Sequence, residues 1–213
     1  MSNKQKLAIV TGGGSGLGLA IAKAFTANNI KTIIVGRDEE KLKTAKAELG
    51  ENGFYKTCDL SDLSSIPALI ENIVAEFGQI DILVNNAGIN QKKVFEEVTD
   101  EEFQRILTTN VTAVFSISRE VVKDMLKRKS GCIINISSIA GKEAYPKGNV
   151  YCATKHAVDA LTKSMRIDLL PFGIRVTSIN PGAAETEFSL VRFAGDEERA
   201  KQVYKGYTPL RPE

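Results

Sequence analysis

Three features of the chain predict a doubly wound α/β fold, with one parallel sheet covered by helices on both faces. Short β-branched runs alternate with stretches of helical spacing along the sequence. Those runs are apolar almost without alternation, as strands hidden on both faces are. Glycines crowd the turn between the first such run and the first helical stretch.

Taken in order, the strands fall at residues 7–10, 31–36, 54–59, 82–85, 132–137 and 175–180. Between them, Leu19, Ala22 and Phe25 share one helical face, as do Leu69, Ile73, Val74 and Phe77. Ser65 ahead of Pro67 suits a helix start, and Gly78 suits a helix stop. Strand–helix alternation of this kind calls for right-handed crossovers between parallel strands.

A chain of 213 residues is long enough for one substantial core, so residues 1–213 are read as a single domain. Its 28 basic and 26 acidic side chains nearly cancel, giving a net charge of +2. That balance gives no electrostatic basis for nucleic acid as a partner. No apolar run approaches a bilayer span, and the N-terminal residues lack a signal-peptide layout. Cys58, Cys132 and Cys152 follow no disulfide or ligand spacing, which points to a reducing, cytoplasmic setting. A zinc site is hard to assemble around a single histidine, His156. It neighbours Lys155 but points to another helix face, where a surface or packing role is expected. The cysteines read as small buried hydrophobes.

The glycine turn reads Thr11-Gly12-Gly13-Gly14-Ser15-Gly16-Leu17-Gly18. Glycines let a backbone turn tightly and approach a pyrophosphate, while a helix N-terminus presents free N–H groups and a positive dipole end. A glycine cluster alone is weak evidence. Its position between first strand and first helix strengthens the reading of a Rossmann-type dinucleotide site.

The spacing T-G-x-x-x-G-x-G resembles that of the short-chain dehydrogenase/reductase family, and further motifs follow in the family's order. Asn85-Asn86-Ala87-Gly88 matches N-N-A-G after the fourth strand, and Asn110 lies in the next helix. Ser138 ends the fifth strand, Tyr151 and Lys155 form Y-x-x-x-K, and Pro181-Gly182 with Thr186 form P-G-x-x-x-T. The resemblance implies a cofactor site of Gly12, Ser15, Gly16, Leu17, Gly18, Asn86, Ala87, Gly88, Pro181, Gly182 and Thr186, joined by Tyr151 and Lys155.

The chemistry of hydride transfer asks for such a set. A carbonyl receiving a hydride becomes an alkoxide, which needs a proton and hydrogen-bond donors. A tyrosine, with a reference pKa of about 10, becomes a useful base near neutrality only if its phenolate is stabilised. Lys155 lies one helical turn beyond Tyr151 on the same face, and an ammonium there favours the phenolate. By resemblance Tyr151 is the general acid/base, and Ser138 orients the substrate oxygen. Lys155 binds the nicotinamide ribose and tunes Tyr151, and Asn110 holds a water in a proton relay.

Arg37 stands at the end of the second strand, where relatives preferring NAD carry an aspartate. A guanidinium there suits the 2′-phosphate of NADP. NADP(H) is therefore the expected cofactor, with NAD(H) as the alternative. Ser15 holds a place that is basic in some NADP-using relatives. Asp38 suits a cap on the following helix. Asp59 and Leu60, after the third strand, resemble a pair that contacts adenine.

Residues 183–208 are read as a substrate-covering segment. Thr186-Glu187-Phe188-Ser189 with Val191-Arg192-Phe193 and Gly195-Asp196 resembles the branch of NADP-dependent 3-hydroxy acid dehydrogenases. Arg192 reads either as a clamp on a substrate carboxylate or as a surface partner of Asp196 or Glu197. Alternatives in function are reduction of a sugar, keto-acyl or cyclic ketone substrate, or NADP sensing without turnover. Relatives continue with a further helix and a seventh strand, and this sequence stops where that helix should begin. A homodimer or homotetramer is expected of a full-length chain.

Overall fold

A computed structural model of the chain describes residues 4–184 and 208–211. Thr186 and Arg192 lie outside the described residues, as does most of the 183–208 segment.

Six strands form one parallel sheet: β1 (Leu7–Thr11), β2 (Lys31–Gly36), β3 (Gly53–Thr57), β4 (Ile82–Asn85), β5 (Gly131–Ile136) and β6 (Ile174–Ile179). Their spatial order is β3-β2-β1-β4-β5-β6. From β1 the chain winds outward through β2 and β3, then returns to the other side of β1 with β4. The carboxyl ends of β1 and β4 are therefore where the winding reverses, and the connections leaving them diverge. The six strands are those the sequence predicts, two with the same ends and the others with ends displaced by at most two residues.

Helices α1 (Gly16–Ala27), α2 (Glu39–Glu48), α3 (Ile66–Phe77), α4 (Asp100–Leu107), α5 (Ala113–Arg128) and α6 (Asn149–Leu169) cover both faces. Along β1 and β2, Ile9, Ile33 and Val35 join the core on the α3 and α5 side. Val10 and Ile34 join the opposite core with Ala22, Leu42 and Ala45 of α1 and α2. Adjacent residues in one strand thus bury against opposite helix layers, which is why the strand sequences are apolar throughout.

Local capping follows the side chains. The Asp38 carboxylate accepts from Lys41 N–H and starts α2. Thr99 and Glu102 form a reciprocal capping box at α4. Gly78 ends α3 at φ +88°, its N–H donating to Val74 O. α3 begins directly after Ser65 with Pro67 in its first turn, as the sequence predicts, although the Ser65 side chain makes no capping bond. A 3-10 turn precedes that helix, Asp62 accepts from Ser64 N–H, and the Ser65 hydroxyl donates back to Asp62 O.

No helix among the described residues is long and apolar enough to cross a membrane.

Candidate active site

The glycine turn is stitched to the end of β4. Thr11 Oγ1 accepts from Asn86 N–H (2.9 Å) and Ala87 N–H (3.0 Å) and donates to Val84 O (3.3 Å). The Asn86 amide donates to Thr11 O (2.9 Å) and Gly12 O (3.1 Å). Gly12 sits at φ +63°, and a Cβ on it would come within 2.9 Å of Ala87 Cα. A side chain on Gly18 would collide with the Gly12 carbonyl oxygen and the Asn86 amide. Both positions need glycine for close approach of α1 to this turn. The side chain of Asn86 is thus spent on positioning the turn.

At the start of α1, Ser15 is extended and makes no side-chain cap, and no acidic residue occupies the first turn. Free N–H groups and the positive dipole end therefore stay available to an anion. This cradle at the strand reversal fits a dinucleotide pyrophosphate.

Arg37 is exposed at the end of β2, near Asp59 at the end of β3. The Asp59 carboxyl is held below the usual carboxylate range, first by the N–H and hydroxyl of Ser61 and last by the Arg37 charge. Leu60 is only 7 % exposed, and its side chain packs in the core. Lys41 escapes the sequence reading: its aliphatic chain runs beside Gly14, 3.5 Å from where a Cβ would stand. It lies in the first turn of α2, four residues after Arg37. Only the glycine's open face, a tertiary feature, reveals it.

Tyr151 and Lys155 lie on α6 and are both buried, at 7 % and 6 % exposure. Lys155 Nζ donates to Ile136 O (2.8 Å) and stands 5.5 Å from the Tyr151 ring centroid. Burial lowers the Lys155 pKa to about 8. Its ammonium, with three donors, has ribose hydroxyls as fitting partners beyond that one carbonyl. Ser138 follows β5, its Oγ accepting from Ala140 N–H (3.1 Å), while the neighbouring Ser137 hydroxyl donates to Lys155 O (3.1 Å).

Asn110 occupies a π-helical turn, Thr108–Thr112, between α4 and α5. Such single π turns concentrate at functional sites. Its amide donates to Ile89 O (2.8 Å) and Thr154 Oγ1 (3.1 Å), and its Oδ1 accepts from Ile89 N–H (2.8 Å). Gly88 brings its backbone alongside Asn110 and Lys155. Asn110, Ser138, Tyr151 and Lys155 therefore converge on the carboxyl ends of β4 and β5. His156 is exposed on another face of α6, its Nδ1 2.8 Å from Cys152 O one turn back in the helix.

The Pro181 carbonyl accepts from Ile139 N–H, which ties the start of the Pro181-Gly182 segment to the Ser138 loop. Leu210 N–H donates to Ala183 O (2.9 Å), and Ala184 bridges Leu210, so the two ends of the 183–208 segment meet.

A family model described as short chain dehydrogenase matches residues 6–196. The chain belongs to the short-chain dehydrogenase family and is an oxidoreductase of CH–OH groups that works with a nicotinamide cofactor. It is 38% identical to NADP-dependent 3-hydroxy acid dehydrogenase of Schizosaccharomyces pombe, over 98% of this chain and 83% of that protein. Identity to the Salmonella typhi protein of the same description, YdfG, is 39%, over 97% and 84%. Among solved structures, serine dehydrogenase complexed with NADP+ superposes with a TM-score of 0.92 at 37% identity, covering 97% of this chain and 84% of that one. A variant of actinorhodin polyketide ketoreductase with NADPH gives 0.89 at 33% identity, covering 98% and 86%.

Proposed function

We propose that the protein oxidises 3-hydroxy acids, or reduces the corresponding 3-oxo acids, with NADP(H). The observation that carries this reading is the buried Tyr151–Lys155 pair beside Ser138, at the strand reversal that also holds the glycine turn. Two relatives described as NADP-dependent 3-hydroxy acid dehydrogenases support the substrate class.

NADP(H), when bound, supplies or accepts the hydride. The N-terminus of α1 with Gly12, Ser15, Gly16, Leu17 and Gly18 would hold its pyrophosphate. Arg37, with Lys41 nearby, would meet the 2′-phosphate, and Lys155 the nicotinamide ribose. In reduction, Tyr151 gives its phenolic proton to the substrate oxygen while the Ser138 hydroxyl donates a second hydrogen bond to that oxygen. In oxidation, Tyr151 takes the proton back. Lys155, still mostly protonated at pH 7, favours the phenolate that each turnover passes through. The Asn110 amide is engaged by Ile89 and Thr154, so a relay water would rest on the backbone of the π turn. Arg192 is assigned to the substrate carboxylate, within a 183–208 segment that covers the substrate.

A cytoplasmic setting belongs to this reading, and three cysteines without disulfide spacing support it. The protein is read as one domain that assembles as a homodimer or homotetramer. Phe103 on α4 and Phe115 on α5 are 44% and 47% exposed, and burial between copies would cover them.

A spectrophotometric screen with NADPH across 3-oxo acids, neutral ketones and aldehydes tests the reading. The highest kcat/KM is expected for a 3-oxo acid. Tyr151→Phe should lose about 100-fold or more in kcat while NADPH still binds. A neutral cyclic ketone as best substrate, or full activity in Tyr151→Phe, overturns it.

A further inference from the structure

The loop between β5 and α6 carries Ser138 at its start and is fastened on both sides of it. Next to Ser138, Ile139 N–H donates to Pro181 O (3.1 Å). A 3-10 turn, Ile139–Gly141, follows, in which Gly141 N–H donates to Ser138 O (2.9 Å) and Lys142 N–H to Ile139 O (2.8 Å). Beyond the turn, Lys142 Nζ meets the Asp159 carboxylate of α6 at 2.5 Å.

Asp159 is withdrawn from solvent, at 6 % exposure, and Lys142 is the first cause holding its carboxyl below the usual carboxylate range. A buried carboxylate is a costly joint between two elements unless cations compensate it. Two do so here. Lys163, one turn further along α6 and largely exposed, reaches the same oxygen at 3.3 Å. Only Lys142 comes from another element, so only Lys142 ties the loop to the helix.

Tyr151, Lys155 and Asp159 follow one another at intervals of four and share a face of α6. The 3-10 turn rests on that face. The Ser137 hydroxyl donates to Lys155 O, and a Cβ on Gly141 would come within 2.8 Å of the same carbonyl oxygen. With backbone this close, the turn cannot move nearer to α6, and the ion pair keeps it from moving away. Within the turn, Ala140 N–H donates to Ser138 Oγ (3.1 Å), which occupies one acceptor site and leaves the hydroxyl its proton for the substrate.

We infer that Lys142 and Asp159 form a positioning pair for Ser138. By holding the 3-10 turn against α6, they fix the Ser138 hydroxyl relative to the Tyr151 phenol, so that both meet one substrate oxygen. The inference rests on the role given to Ser138 above and is independent of which carbonyl compound is reduced. A displaced donor weakens a bond that strengthens in the transition state, so the effect falls on kcat.

The test measures kcat and KM for reduction of a 3-oxo acid and of a neutral ketone with NADPH, and NADPH affinity by fluorescence titration. Lys142→Met leaves Asp159 paired with Lys163, so the buried carboxylate stays compensated. It is expected to lower kcat roughly 5- to 20-fold on whichever substrate is turned over, with KM and NADPH affinity within about twofold of wild type. Lys142→Arg keeps the charge and the reach and should restore most of that loss. Lys163→Met takes an equal charge from Asp159 without touching the loop, and should change kcat by less than about twofold. The deciding measurement is Lys142→Met in a Ser138→Ala background, where no hydroxyl is left to position: kcat should fall by no more than about a further twofold. A further fall as large as in the wild-type background, an unchanged kcat in Lys142→Met, or an equal loss in Lys163→Met would each overturn the inference. If Ser138→Ala by itself leaves kcat intact, the role of Ser138 fails and this inference with it. A loss in Ser138→Ala to which the effect of Lys142→Met simply adds removes the positioning pair alone.

Discussion

Lys155 is held under electrostatic tension. Its ammonium is buried, bonded to one backbone carbonyl, and burial lowers its pKa from 10.5 to about 8. Below pH 8 the folded, cofactor-free protein carries the full cost of that buried charge. Between pH 8 and 10.5 the folded state releases the proton that the unfolded chain still keeps, so stability from this group rises with pH across that window. The shift corresponds to something on the order of 3 kcal/mol. Lys155→Met should therefore stabilise the cofactor-free protein at pH 7 while removing activity, and the gain should shrink towards pH 10. Urea titrations at the two pH values measure it, and a gain independent of pH would refute the argument. The sequence showed this lysine through its spacing from Tyr151. It could not show the burial that makes the group costly when the site is empty.

At the scale of elements, the site depends on how β4, β5, α5 and α6 are held in register. The Asn85 amide donates to Ser118 Oγ of α5 (2.9 Å) and Asn135 Oδ1 of β5 (2.8 Å). The Asn135 amide donates to Thr162 Oγ1 of α6 (2.9 Å), which donates to Val158 O (2.7 Å). Asn85 and Asn135 are partners in the sheet register, so this buried polar chain crosses directly beneath the ends of both strands. Asn135→Ala would leave buried donors and acceptors unmatched and should destabilise the protein by about 2 kcal/mol. It should also lower kcat without changing the pH profile. A chemical-unfolding midpoint equal to wild type would count against the ladder. Asn85 was visible as part of N-N-A-G, but Asn135 reads as a polar interruption in an apolar strand until its partners are placed. The π turn at Asn110 was likewise invisible, because nothing in Thr108–Thr112 breaks helical periodicity.

At the scale of the whole molecule, the proposed cofactor site would couple distant parts: the β1 turn, the ends of β2 and β3, and α6. A ligand gripping all of them only in the folded state stabilises the fold by mass action, about 2.7 kcal/mol at a hundredfold excess over Kd. For a chain of this size that is a rise in Tm of roughly 5–10 °C. NADPH should give a larger rise than NADH at equal concentration, and Arg37→Asp should reverse the order. Thermal-shift measurements decide it, and an unchanged order in Arg37→Asp would remove Arg37 from cofactor choice.

The sequence by itself determined the parallel α/β architecture, the glycine turn and the positions of Asn110, Ser138, Tyr151 and Lys155. Those follow from periodicity and short-range spacing, which local covalent geometry turns directly into strands, turns and helix faces. Only the tertiary structure decided which polar groups are hidden and which of them find partners. Leu60 turned inward to the core, Lys41 came to lie beside Gly14, Asn86 tied the glycine turn to β4, and Gln91 was buried without a partner. Burial and hydrogen-bond matching depend on residues far apart in the chain, and no local pattern encodes them.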